Sequence, residues 1–140
     1  MELLLVEDNP HDAELTLRSL RKYRLANNII HIGDGAEALD FLFGRGAYEG
    51  RNPNNRPKVI LLDLKMPKIS GIEVLQELRN NELTKLIPVV VLSSSTENPD
   101  VQRCFELGAN SYIVKPVEFE NFSKAVADIG FYWLLLNQQP

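Results

Sequence analysis

The stretch Lys58-Val59-Ile60-Leu61-Leu62-Asp63-Leu64-Lys65-Met66-Pro67 constrains the fold more than any other. Its apolar run is long enough for one strand and too short for a typical helix. It does not alternate with polar residues, so it reads as a strand covered on both faces, as at the centre of a parallel sheet. Pro67 confirms that the strand has stopped. Asp63 therefore stands at the carboxyl end of a buried strand, where open α/β sheets place their ligand crevice. Taken alone, that aspartate is equally readable as a solvated loop residue. The other strand ends decide between the two.

Residues 3–6 are a second apolar run, ending in Glu7-Asp8. Asn9-Pro10 follows, an N-cap residue with proline at the first helical position. Ala13, Leu17, Leu20 and Arg24 then recur at helical spacing, with Leu15 and Tyr23 widening the apolar face. One acid there would suit a helix N-terminus; an adjacent pair on a buried strand end is more than that role requires. Residues 28–32 form another strand, and Gly33-Asp34-Gly35 turns the chain into a helix carrying Ala36, Leu39, Phe41, Leu42 and Phe43. Residues 44–57 are rich in glycine, asparagine and proline and nearly free of apolar anchors, and they read as a long exposed loop.

Beyond Pro67, Ser70 and Glu73 make a capping box, with Ile72, Leu75 and Leu78 on one helical face. Residues 88–92 are a fourth buried strand, ending in Ser93-Ser94-Ser95. Asn98-Pro99 starts a helix with Val101, Cys104, Phe105 and Leu107, which Gly108 ends. Residues 110–114 are the fifth strand, leading to Lys115-Pro116. The last helix starts near Glu118 and carries Phe119, Phe122, Val126, Ile129 and Trp133. Five alternations of strand and helix predict a parallel sheet with helices on both faces and right-handed crossovers.

At 140 residues the chain fits a single domain over 1–140, with the loop at 44–57 and a C-terminal helical extension at about 130–140. A net charge of −4 gives no basic face for nucleic acid. The single cysteine, Cys104, cannot form an internal disulfide and is expected in the core. The N-terminus is too short and too acidic for a signal peptide, and no run reaches membrane-spanning length. The expectation is a cytoplasmic protein without membrane contact. His11 reads as a surface residue and His31 as structural; neither has a partner at zinc-binding spacing.

In a doubly wound sheet Glu7, Asp8, Asp63, Ser93 and Lys115 gather on the carboxyl edge. Three carboxylates at close quarters repel, and a hard divalent cation such as Mg2+ relieves the repulsion. A carboxylate beside a metal, a lysine and a hydroxyl is placed to attack a phosphoryl group. These residues, in this order and at these strand ends, resemble the receiver domain of two-component response regulators over residues 2 to about 130. The resemblance implies a flavodoxin-like sheet of order 2-1-3-4-5. It implies that Asp63 accepts a phosphoryl group from a histidine kinase and that the protein is a phosphoacceptor switch, not an enzyme acting on other substrates. Asp8 and Asp63 would ligate Mg2+, Glu7 would support it through water, and Lys65 would offer its backbone carbonyl. Ser93 and Lys115 would hold the phosphoryl group, with a backbone contact from Ser94, and Tyr112 would be the mobile switch aromatic alongside Ser93. The Lys115–Pro116 bond would be cis.

Two positions depart from the family's commoner pattern. Serine stands at position 93 where threonine is usual, which keeps the hydroxyl; Ser94 stands where alanine or glycine is usual and narrows access to the phosphoryl group. The long loop and the Phe131-Tyr132-Trp133-Leu134 segment look like the stand-alone response regulators paired with phytochromes. That implies a phytochrome-type sensor kinase, with output through a downstream protein or a histidine phosphotransfer protein. A general single-domain phosphorelay shuttle for another kinase is the alternative. Phe122, Val126, Ile129, Trp133 and Leu136 form a heptad-like seam. Phe119, Phe122 and Val126 are expected to pack on the sheet, and the continuation into the tail leads to an expected homodimer through the fourth helix, fifth strand, last helix and tail. An aspartyl-nucleophile phosphohydrolase would need a second acid where Lys65 stands. A flavin or dinucleotide module would need a phosphate-cradling loop where Glu7-Asp8-Asn9-Pro10 stands.

Overall fold

A computed structural model of the chain describes residues 3–21, 29–94 and 99–128. Five strands, β1 (Leu3–Val6), β2 (Ile29–Ile32), β3 (Val59–Asp63), β4 (Val89–Ser93) and β5 (Ser111–Val114), alternate with five helices. The helices are α1 (Pro10–Arg21), α2 (Gly35–Phe43), α3 (Gly71–Arg79), α4 (Pro99–Glu106) and α5 (Phe119–Asp128). All strands pair in parallel, in the order β2-β1-β3-β4-β5. This is the flavodoxin-like doubly wound sheet, with β3 at its centre.

Position in the sheet explains why the runs read as they do. Every residue of β1, β3 and β4 is buried, whereas the edge strands bury only Ile32 in β2 and Ile113 in β5. Successive side chains leave opposite faces of a strand and so feed two cores. Leu4, Val6, Ile60, Leu62, Val89 and Val91 pack under α2, α3 and α4. Leu3, Leu5, Val59, Leu61, Val90 and Leu92 pack under α1 and α5 with Ala13, Leu20, Phe122 and Ala125. Each such aliphatic side chain contributes roughly 1.5–3 kcal/mol by leaving water.

Helix starts are set by local chemistry. Asn9 caps α1, its Oδ1 accepting from the backbone N–H of His11 and Asp12 at 2.9 and 3.0 Å. Asp34 and Ser70 cap α2 and α3 by accepting from the N–H of Glu37 and Glu73. The start of α3 lies directly on the end of β3. A Cβ at Gly71 would stand 2.8 Å from Leu64 Cα and closer still to the Asp63 carbonyl oxygen. Only glycine lets that helix approach the Asp63 backbone so nearly, and the Gly71 N–H donates to Leu64 O at 2.9 Å.

Several helix faces differ from the periodicity reading. Thr16 joins Ala13 and Leu20 as the buried stripe of α1, while Leu15 and Leu17 are half-buried. Ala38, not Ala36, packs from α2. Phe105 is exposed on α4, because Val101 and Cys104 already fill its inward stripe. Burial, with the nearby Asp100 charge, pushes the Cys104 thiol up to about 11, so it stays a protonated packing group.

Residues 44–57 are anchored, not merely exposed. Residues Gly46–Tyr48 make a 3-10 turn, and Tyr48 stacks edge-on against Phe41 at 5.2 Å and donates to Glu37 at 2.6 Å. The Arg51 guanidinium lies 3.8 Å from the centre of the Phe41 ring and donates to Phe41 O. Phe122 is fully buried in its own domain, as expected of the sheet-facing part of the seam. The Val126 side chain, Ile129, Trp133, Leu136 and the C-terminal extension lie outside the described residues, as do Tyr23, Arg24 and Asn28. No helix among the described residues is long and apolar enough to cross a membrane.

The two glycines at the site edge make a matched test. Gly71→Ala should lower unfolding stability by about 1–3 kcal/mol through overpacking. Gly33→Ala, whose Cβ would meet only Glu7 O at 3.6 Å, should stay within about 0.5 kcal/mol of the parent. Urea denaturation midpoints measure both, and equal losses would contradict the close approach at Gly71.

Candidate functional site at the carboxyl edge of the sheet

The parallel register brings the strand ends to one edge, and backbone bonds fix them there. The N–H of Glu7 donates to Ile32 O at 3.2 Å, that of Leu64 to Leu92 O at 3.1 Å, and that of Lys115 to Ser93 O at 2.8 Å. Glu7 and Asp8 thus follow β1, Asp63 ends β3, Ser93 ends β4 and Lys115 follows β5. Asp63 and Ser93 are buried, and Glu7 has no exposed surface at all.

Lys115 Nζ lies 3.2 Å from Asp63 Oδ1, 3.1 Å from Glu7 Oε1 and 3.0 Å from Asp12 Oδ2. Glu7 and Asp12 each accept a hydrogen bond from the ammonium, and Asp63 stands beside it as an ion pair. Glu7, Asp8 and Asp63 each offer an oxygen within 4.8 Å of the others'. Burial raises the Glu7 carboxyl to about 8, helped by a hydrogen bond to Asp63 and the Asp63 charge; Lys115 only partly opposes this. Asp8 is raised as well, by burial and then by the Asp63 charge. Burial pulls the Lys115 ammonium down, but its bond to Asp12 and the charges of Asp63 and Glu7 outweigh that, and its pKa is raised overall. The pocket is therefore short of positive charge. An all-oxygen carboxylate set is what a hard cation of the Mg2+ kind prefers.

The other expected residues fall as follows. The Lys65 side chain is exposed just past Asp63, and Ser94 is exposed just past Ser93. Tyr112 points outward, 38% exposed, edge-on to Phe105 with ring centres 5.9 Å apart. The Lys115–Pro116 bond is cis. His11 is exposed, whereas His31 reaches in from the edge strand and its Nε2 donates to Glu7 O at 2.9 Å. Sequence reading missed Asp12. Its only signal is its place in the first turn of a helix that starts at this edge.

The model of the response regulator receiver domain matches residues 3–127. The chain belongs to that family. Among solved structures, the receiver is similar to the bacteriophytochrome response regulator AtBRR, at 52% identity over 94% of each chain with a TM-score of 0.85. It is similar to the phosphorylated cyanobacterial phytochrome response regulator RcpA, at 36% identity over 95% of this chain and 93% of that one, with a TM-score of 0.75. It also matches the probable methanogenesis regulatory protein FilR2 of Methanothrix harundinacea, at 39% identity over 99% of this chain and 86% of that protein. The receiver is thus a response regulator domain related to those of phytochrome signalling.

The raised Glu7 pKa has a signed consequence. Between 4.5 and about 8 the folded receiver holds a proton that the unfolded chain has lost. The unfolded state binds fewer protons there, so stability falls as pH rises through that window. Asp8 acts in the same direction. Denaturation midpoints in buffer free of divalent cations should fall from about pH 5 to 8, and Glu7→Gln should flatten the fall. Parallel profiles for the two proteins would contradict the buried, protonated Glu7.

Proposed function

We propose that Asp63 accepts a phosphoryl group from a phosphohistidine of a sensor kinase, and that the receiver signals through the contacts this changes. The observation that carries the reading is Asp63 at 3% exposure, 3.2 Å from Lys115 and within the Glu7–Asp8 cluster. In the transfer, an Asp63 carboxylate oxygen bonds to phosphorus as the bond from phosphorus to the imidazole nitrogen breaks, and the imidazole leaves with its electron pair. Asp8 and Asp63 would hold Mg2+ directly and Glu7 through water, with the Lys65 carbonyl completing the protein ligands. The ion, when bound, supplies charge neutralisation on the transferred group. Lys115, ion-paired with Asp63, would donate to a phosphoryl oxygen, and Ser93 and the backbone at Ser94 would take further oxygens.

The switch is carried by Ser93 and Tyr112. As Ser93 moves towards the new anion, Tyr112 leaves Phe105 and turns inward, changing the face formed by α4, β5 and α5. Likeness to AtBRR and RcpA supports a phytochrome-type kinase as the donor, and a downstream protein or histidine phosphotransfer protein as the recipient. The chain is read as one domain that dimerises through this face and its tail. Removing residues 131–140 should then convert a sedimenting dimer to a monomer; a full-length monomer across micromolar concentrations, with and without beryllofluoride, would end that part of the reading.

For the acceptor itself, Asp63→Asn should abolish labelling by a phosphorylated kinase while the fold survives. Asp8→Ala should weaken Mg2+ binding and slow transfer together. Full labelling of folded Asp63→Asn protein, mapped to another residue, would overturn the assignment.

A further inference from the structure

We propose that Asp12 is a positioning residue that holds the Lys115 ammonium at the acceptor, an inference that rests on the phosphoacceptor reading above. Lys115 carries its charge on a flexible four-carbon stem, so its placement must come from the three carboxylates its ammonium meets. Two of those partners belong to the reaction. Asp63 Oδ1 is on the group that becomes covalently modified, and Glu7 is one of the cluster that would turn towards the metal. Asp12 belongs to neither set. It sits on a different element, α1, and its 3.0 Å contact is the shortest of the three.

Asp12 is itself held in place. Its N–H donates to Asn9 Oδ1 at 3.0 Å, and its carboxylate occupies the first turn of α1, where the helix dipole favours negative charge. Its side chain is 31% exposed, against 4% for Asp63. It is therefore less desolvated than either buried acid. When the ammonium engages a phosphoryl oxygen beside Asp63, its bond to Asp12 need not change. The ammonium then stands in one place before, during and after transfer, which is pre-organisation of the group that stabilises developing charge.

The test uses the full chain with acetyl phosphate and Mg2+ as probes, following label on Asp63. Asp12→Ala should slow labelling at saturating donor about tenfold. Asp12→Asn, which still accepts a hydrogen bond from Lys115 without the charge, should lie between. The Mg2+ concentration for half-maximal rate should move less than about twofold, because Asp12 is outside the metal cluster. On a Lys115→Ala background, Asp12→Ala should cause no further slowing, a non-additivity that a general structural role of Asp12 would not produce. Should Asp12→Ala fail to fold, Asp12→Asn and its cycle with Lys115→Ala carry the same comparison. Labelling of Asp12→Ala at or above the parent rate, or equal slowing with and without Lys115, overturns the inference alone. A parent chain that takes no label on Asp63 overturns the phosphoacceptor reading and this inference together.

Discussion

One half-buried ammonium sits among more carboxylates than it can neutralise, and the carboxyl edge of the sheet depends on that imbalance. Lys115 bridges Asp63, Glu7 and Asp12, while Asp8 stands beside them with no share of its charge through a direct ion pair among the described contacts. Glu7 answers by keeping its proton to about 8. Such a pocket costs stability on folding, since buried charges repay their desolvation only in part. On the proposed reading, an added cation would replace a proton there, and an added anion would find a donor already in position.

The fold exists to hold those groups at hydrogen-bond distance. Three fully buried strands place Glu7, Asp63 and Ser93 at one edge, and β5 brings Lys115 beside them through its backbone bond to Ser93 O. The two cores, one under α2, α3 and α4 and the other under α1 and α5, make that edge rigid. Tyr112 and Phe105 stack edge-on at an exposed face of α4 and β5.

The strands were legible because burial on both faces leaves unbroken apolar runs, and the acids, serine and lysine were legible because each directly ends or follows such a run. Helix faces were less so. Thr16 hides its hydroxyl in an inward stripe and Phe105 leaves one, choices that periodicity alone does not separate. The anchoring of residues 44–57 by Arg51 and Tyr48 on Phe41 was not legible, since a cation over a ring has no sequence spacing of its own. Asp12 escaped for a related reason. An acid in the first turn of a helix ordinarily needs no partner beyond the dipole, and only the tertiary approach of Lys115, 103 residues away, gives it another.

A structure of the chain with Mg2+ and beryllofluoride tests this account most directly, because the adduct stands in for the phosphoryl group on aspartate. The account predicts beryllium bonded to an Asp63 carboxylate oxygen, the metal on Asp8 and Asp63, and Lys115 Nζ donating to a fluorine while still bonded to Asp12. An adduct on another side chain, or a Lys115 ammonium turned away from the fluorines, would contradict it.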